Sequence, residues 1–340
     1  MQDKLLDLAL EVSRVTEEKV GVIDQVMRQT GMLAINAQLE AARAGASGNA
    51  FAVVAQEMGT VAQAIRSVSA ELRQAIAENV ALLESAGEKL QFDLRGARLT
   101  DLARNAVEII DRNLYERSCD VRWWATDSAV VSVLSEDGPA ARAYASNRLA
   151  TILRSYTVYL DLWVADADGH VVANGRPERY PHVVGTDVTN SAWFIQAMRT
   201  RSGDEFHVED IARNVMLGGA PVATYATAVR VAGDSQGRPL GALGIFFDWA
   251  PQAAAIVDGV HASATEREGT RALLLDQHLR VIAASDGVGL LDTRYPLIRD
   301  GGARGHYIAG DKLVAFALTP GYETYRGLGW YGCIEAPLRG

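Results

Sequence analysis

The stretch QTGMLAINAQLEAARAGASGNAFAVVAQEMGTVAQ, residues 29–63, sets the architecture of the first part of the chain. It lies within residues 1–90, which contain no proline and are rich in Ala, Leu, Val, Glu and Gln, a composition that favours long helices. Its one interruption is a cluster of small residues, Gly45-Ala46-Ser47-Gly48. Upstream, apolar side chains recur at alternating steps of four and three at Leu8, Val12, Val15, Val22, Val26 and Leu33, with Lys19 and Gln29 breaking the series. Downstream the rhythm resumes at Phe51, Val54, Met58, Val61, Ile65, Val68 and Leu72. A repeat of about 3.5 residues keeps one apolar stripe turned toward a partner helix. Residues 1–90 are therefore expected to form an antiparallel coiled-coil hairpin, with arms of about 40 residues and roughly 60 Å. One hairpin buries one stripe, so a homodimer that closes a four-helix bundle is its natural completion.

Outward from the hairpin, residues 91–157 still read as helix, a long linking helix and a helical lead-in. The periodicity breaks at Glu136-Asp137-Gly138-Pro139, and a short helix ends near Tyr156. From Val158 the pattern changes to short β-branched and aromatic runs between turns. VYLDLWVADADGHVVANG reads as strand, Asp-Gly turn, strand, and VATYATAVRVAGDSQGRPLGALGIFFDW as a second pair. A helix around Ser191–Ala197 lies between them. RALLLDQHLRVIAAS, LVAFALTP and GWYGCIEAPL echo these pairs, so residues 158–260 and 261–340 read as two copies of one unit, the second smaller. The whole is an α+β chain.

Composition narrows the function. Among 340 residues, 49% are hydrophobic and 22% charged, the balance of a soluble globular protein. A formal charge of −9 offers no basic face to replace the counterions of a nucleic acid. Cys119 and Cys333 stand far apart outside any CxxC pattern, which suits a reducing compartment. No run of eighteen apolar residues occurs, and the N-terminus mixes charge into its apolar positions unlike a signal peptide. A cytoplasmic location, associated with receptor arrays, is the expectation. The histidines show no metal-binding spacing, Asp166-Ala167-Asp168-Gly169 lacks the acidic continuation of a calcium loop, and no phosphate loop or nucleophile elbow is present. No catalytic residues, metal or cofactor are expected.

Two resemblances follow. The hairpin is similar to the signalling tip of methyl-accepting chemotaxis receptors. Asn36, Glu40, Arg43, Gly45, Gly48, Phe51, Ala52, Val53, Val54, Ala55 and Glu57 stand where that pattern has them. It departs at Arg28, Gly31, Ala46, Asn49, Ala50 and Gly59. The resemblance implies that Ile35, Asn36, Leu39, Glu40 and Arg43 form a contact surface for trimers of dimers and for a chemotaxis histidine kinase and its adaptor. The region from about residue 100 onward resembles a double Cache sensor, a tandem PAS-like domain, through LWVADADGHVVANG, GTDVTNSAWFIQAM, PLGALGIFFDW and YRGLGWYGCIEAP. In that family an arginine and aromatics on a helix and acids on later strands hold an amino acid. Here Trp193 and Phe194 match the aromatics, Asp210 and Asp248 approximate the acids, and Ser191 stands for the arginine.

Acids kept and a guanidinium lost favour a cationic amine, through charge-assisted hydrogen bonds and cation–π attraction. An amino acid or a purine stays open as the ligand. Met216, Tyr225 and Trp163 join the candidate pocket by their place between strands. The plainer readings are that Asp248 caps a strand end, Asp210 pairs with Arg213 and Trp193 is core. In RWWATD, residues 122–127, the two tryptophans cannot share one helix face, so one packs on the sensor and the other faces an interface. The function these features describe is a chemoreceptor-like signal transducer gated by a small molecule. The alternative is a coiled-coil scaffold with a vestigial pocket.

Overall fold

The computed structural model describes residues 2–136, 138–260 and 269–338, and the side chains from residue 7 onward. Asp137 of the expected helix break, His261 and the expected start of the second sensor copy at residue 261 lie outside them. The chain divides into two units, 1–95 and 96–340.

In the first unit, α1 (Gln2–Arg43) and the opening of α2 (Asn49–Trp124) are joined by a single 3₁₀ turn at Gly45–Gly48. Gly45 adopts a left-handed φ of 57°. Gly48 lies against the backbone of Ala41, where an added Cβ would stand 2.1 Å from its carbonyl oxygen. The arms run antiparallel: the guanidinium of Arg73 pairs with Asp24, Gly31 faces Arg66, and Gly59 faces Ala34.

The seam between the arms differs from the stripe expected to fill it. Its buried residues are mostly small and lie at multiples of seven: Val20, Ala34 and Ala41 on α1, and Gly48, Ala55, Ala62 and Ser69 around the turn and on α2. The large apolar positions Val12, Val22, Leu33, Phe51, Val54, Val61 and Val68 are exposed, Phe51 by 73%. Alanine lets two backbones approach closely, so the larger side chains form an outer face.

In the second unit α2 continues to Trp124, followed by α3 (Ser128–Ser135) and α4 (Pro139–Ser155). Asp127 caps α3 by accepting the Ala129 N–H at 3.0 Å, and Pro139 opens α4 where its missing N–H costs nothing. Two sheets follow. The first contains β1 (Tyr159–Asp166), β2 (Val171–Asn174), β3 (His207–Asn214), β4 (Ala220–Arg230) and β5 (Pro239–Asp248), ordered β2-β1-β5-β4-β3. After α6 (Trp249–Asp258), β6 (Arg271–Leu275), β7 (Val281–Ala284), β8 (Arg304–Ala309), β9 (Lys312–Leu318) and β10 (Tyr331–Pro337) form the second, ordered β7-β6-β10-β9-β8. The two orders are the same, strand for strand. The first copy carries the extra helix α5 (Ala192–Met198) between β2 and β3.

One core lies between α2, α3, α4, α6 and the helix-facing sides of both sheets, including Leu114, Val121, Leu149, Ile245, Phe247 and Trp330. On the first sheet α2 is held by polar contacts as well. The Tyr159 hydroxyl donates to Asp120 at 2.5 Å, Arg117 Nε donates to the same carboxylate at 3.2 Å, and the Arg117 guanidinium lies 5.2 Å from the Tyr159 ring centroid. Against the second sheet, Ala103 abuts Gly332 backbone to backbone, and Asp111 accepts the Gly321 N–H at 2.7 Å.

Candidate ligand site on the first sheet

The opposite side of the first sheet is covered by α5 and the loop that precedes it. Alternation along β1 and β5 brings Trp163, Gly244, Phe246 and Asp248 to this side, with Trp163 directly across from Gly244. From α5, Trp193 and Phe194 turn inward and are 5% and 6% exposed. The Trp163 and Phe246 centroids are 4.1 Å apart, Trp193 stands edge-on to Phe246 at 6.1 Å, and Trp193 to Phe194 at 6.0 Å. Gly244 makes this possible: a Cβ there would stand 3.0 Å from the Trp193 ring. Met216 packs at the edge of the same cluster.

Beneath the aromatics lies a fully buried carboxylate that sequence reading overlooked. Asp161 accepts from Trp163 Nε1 at 3.0 Å, Asn174 Nδ2 at 2.8 Å, Gly175 N at 3.0 Å and its neighbour Leu162 N at 2.9 Å. Burial pushes its pKa up, and these donors pull the other way. The position is fixed by a register shift between Tyr159 and Asp161 on β1.

Asp248 ends β5 and precedes α6, half-buried. Burial raises its pKa, opposed by Arg179, the Ala250 N–H and Arg176. Arg176, Arg179 and Tyr180 belong to the loop after β2, with the Arg179 guanidinium 5.2 Å from the Tyr180 centroid. Their charges reach Asp248 only through the fold, and nothing in RPERYPH as a sequence announces it.

Two expected pocket residues lie elsewhere. A register shift between Glu209 and Ala212 on β3 moves Asp210 to the helix-facing side. There it accepts from Trp330 Nε1 at 3.0 Å and ties the two sheets together. Glu209 takes the α5 side instead. Its carboxyl is raised by burial and faced by the Trp193 N–H and the Thr224 hydroxyl, at the start of α5 where Ser191 makes no capping bond. Tyr225 is in register with Ile245 rather than with Phe246, so it faces the helices, fully buried, 3.1 Å from the hydroxyl of Tyr325. The period-two parity of β4 and β5 was the signal that could have excluded it.

The first unit is a helical hairpin, and the second has the two-sheet fold of double Cache domains. Residues 3–112 match the methyl-accepting chemotaxis protein (MCP) signalling domain, and the two-sheet fold that follows resembles Cache domains. It is 42% identical over 91 residues to methyl-accepting chemotaxis protein I of Escherichia coli, covering 24% of this chain and 16% of that protein's length. The sensor resembles the sensory domain of the Campylobacter jejuni chemoreceptor Tlp3 (TM-score 0.55, 15% identity, 74% of this chain and 96% of that one), which has also been solved with isoleucine bound. It also resembles the sensor domain of the V. cholerae histidine kinase DctB (TM-score 0.53, 13% identity, 73% and 98%).

These likenesses overturn the cytoplasmic location expected from the sequence. The sensor domains that this fold resembles, of a chemoreceptor and of a histidine kinase, are periplasmic or extracellular ligand-binding domains. Low cysteine content and the lack of a long apolar run report on the chain's own chemistry, not on the side of a membrane where a domain works. Among the described residues, no helix is long and apolar enough to cross a membrane.

Proposed function

We propose that this chain is a ligand-gated signal transducer whose sensor binds a small amine-bearing molecule on the α5 side of the first sheet. The observation that carries this is the convergence of Trp163, Trp193, Phe194 and Asp248 on one face, with Met216 at its edge. Aromatic faces and a carboxylate suit an ammonium group. Glu209 supplies a second acid on that face, two strand spacings across and two residues along from Asp248, roughly 12 Å away. Arg176 and Arg179 beside Asp248 favour a second reading, an amino acid whose carboxylate they would hold.

Residues 1–90 are the output element in this proposal, 91–157 the lead-in, 158–260 the ligand-binding subdomain and 261–340 its smaller companion. The exposed stripe that includes Leu33, Val54 and Val61 suits a second copy of the chain, which would complete a four-helix bundle. At the tip, Ile35 and Leu39 are exposed beside the Glu40–Arg43 ion pair of 2.7 Å. With Asn36 they form the surface proposed to dock a histidine kinase and adaptor and to join dimers into trimers.

A thermal-shift titration of the full chain with putrescine and with isoleucine tests the sensor reading, because a ligand of the folded state raises its melting temperature. Stabilisation by putrescine, lost in Asp248→Ala and kept in Arg179→Gln, supports an amine. Stabilisation by isoleucine, lost in both variants, supports the amino acid. Binding of either that survives Asp248→Ala and Trp193→Ala refutes the site.

A further inference from the structure

A second polar cleft lies at the far end of α2, on a part of the sensor unit away from the α5 face. Arg122 and Trp123 of α2, Thr126 in the turn that follows, and Arg230 and Gly233 at the end of β4 wall a space of about 370 Å³. That is the size of a small-molecule site. Of the two adjacent tryptophans, Trp124 is buried edge-on against Tyr156 and Tyr159, with centroids at 5.0 and 5.3 Å. Successive helix residues point about 100° apart. Trp123 is thereby turned outward at the cleft and is 68% exposed.

Two guanidinium groups line this cleft without carboxylate partners among the described residues. Arg230 is 5% exposed. Its Nη1 donates to the Gly237 carbonyl at 2.8 Å and its Nη2 to the Thr200 carbonyl, while its Nε has no acceptor. Glu205, whose carboxyl feels the Arg230 charge, is bound to Arg201 at 2.6 Å. Arg122 donates to the Ser118 carbonyl at 2.8 Å and the Asp204 carbonyl at 3.4 Å, with Cys119 Sγ at 3.5 Å. A buried cation held only by carbonyl and hydroxyl dipoles, here including Thr200 Oγ1 at 3.2 Å, is poorly compensated and favours an anion beside it. The acids lining the cleft, Asp204 and Asp234, are exposed. Asp234 already accepts the Gln236 N–H at 2.9 Å, and water screens both.

We propose that this cleft binds a small organic carboxylate with a short apolar tail. The carboxylate sits between Arg122 and Arg230, and the tail lies against Trp123, Ala125 and Ala228. Two of these walls belong to α2, the helix that also forms the second arm of the hairpin. An occupant therefore touches the helical lead-in, as an input separate from the α5 face.

The full chain, titrated with acetate, butyrate and benzoate against equal chloride, tests this by melting temperature and by indole ¹⁵N NMR, with the Trp123 resonance assigned from Trp123→Phe. The expected result is a carboxylate-specific rise in melting temperature with a shift of the Trp123 indole, stronger for butyrate and benzoate than for acetate. Arg122→Gln, at a partly exposed site where folding is safe, should weaken binding by about tenfold or more through loss of a charged hydrogen bond. Asp248→Ala should leave it intact. The proposal is overturned by no carboxylate-specific shift, by binding that survives Arg122→Gln and Trp123→Phe unchanged, or by binding lost in Asp248→Ala but kept in Arg122→Gln. Binding of inorganic phosphate with no carboxylate bound overturns the ligand class.

Discussion

Replacing Asp111 by asparagine should make the sensor more stable above neutrality and flatten its dependence on pH. Asp111 sits on α2, fully buried, with one oxygen accepting the Gly321 N–H and the other beside the Thr319 hydroxyl in no well-formed bond. Burial is the largest cause of a rise from an ordinary value of 3.8 to about 6, with Glu108 adding to it and the Gly321 and Thr319 donors opposing it. A folded-state pKa above the unfolded one means that the native state binds the proton more tightly. The stabilisation is therefore complete below about pH 4 and is lost as pH climbs through about 6. A rise of roughly two units corresponds to about 3 kcal/mol at 1.36 kcal/mol per unit. Relaxation and the high effective dielectric of real sites reduce this to about 1–2 kcal/mol. Asparagine keeps the acceptor for Gly321, offers Thr319 a donor and carries no charge. Urea titrations of the full chain from pH 4 to 8, followed by near-ultraviolet circular dichroism of the sensor's aromatics, should show the variant ahead by that amount at pH 8, ahead by about half of it near pH 5, and nearly level with the parent at about pH 4. For a unit of this size the gain is about 2–4 °C per kcal/mol. A variant less stable than the parent at pH 8, or one with the parent's pH slope, would refute the reasoning.

Three further outcomes are expected. Gly244→Ala drives a methyl group into the Trp193 ring at 3.0 Å, which should cost about 1–3 kcal/mol; tryptophan fluorescence showing no change in ring burial would contradict this. Asp161→Ala strands the donors of Trp163, Asn174, Gly175 and Leu162, which should cost about 3 kcal/mol or more in denaturant titration. Asp24→Asn removes a partly exposed pair with Arg73 and should change hairpin stability by only about 0.2–1 kcal/mol, less at high salt; a large, salt-independent loss in far-ultraviolet melting would count against that reading.

The parts legible in the sequence were those carried by local chemistry. The glycines at 45 and 48 mark the turn because the left-handed φ at one favours a residue without a side chain and the contact with Ala41 at the other requires it. The duplicated sheet was legible because alternation and turn residues repeat in the same order. The hairpin seam was misread for a physical reason: hydrophobicity draws the eye to Val and Leu, whereas close packing between two helices of one chain is achieved with alanine. Asp210 was misplaced because a one-residue shift in β3 reverses which side chains face α5, and no local signal marks the bulge. Arg176, Arg179 and Asp161 were missed because their neighbours come from other strands.

The seam also limits how the hairpin can change length. Its buried residues recur at multiples of seven along both arms, through the Gly45–Gly48 turn, so one spacing governs the whole seam. Losing or gaining residues in one arm alone would slide alanines onto bulky neighbours along the rest of the pair. A heptad removed from each arm at the same distance from the turn would shorten the rod by about 10 Å and leave every remaining match intact. The hairpin is thus a ruler with fixed graduations, read outward from its tip.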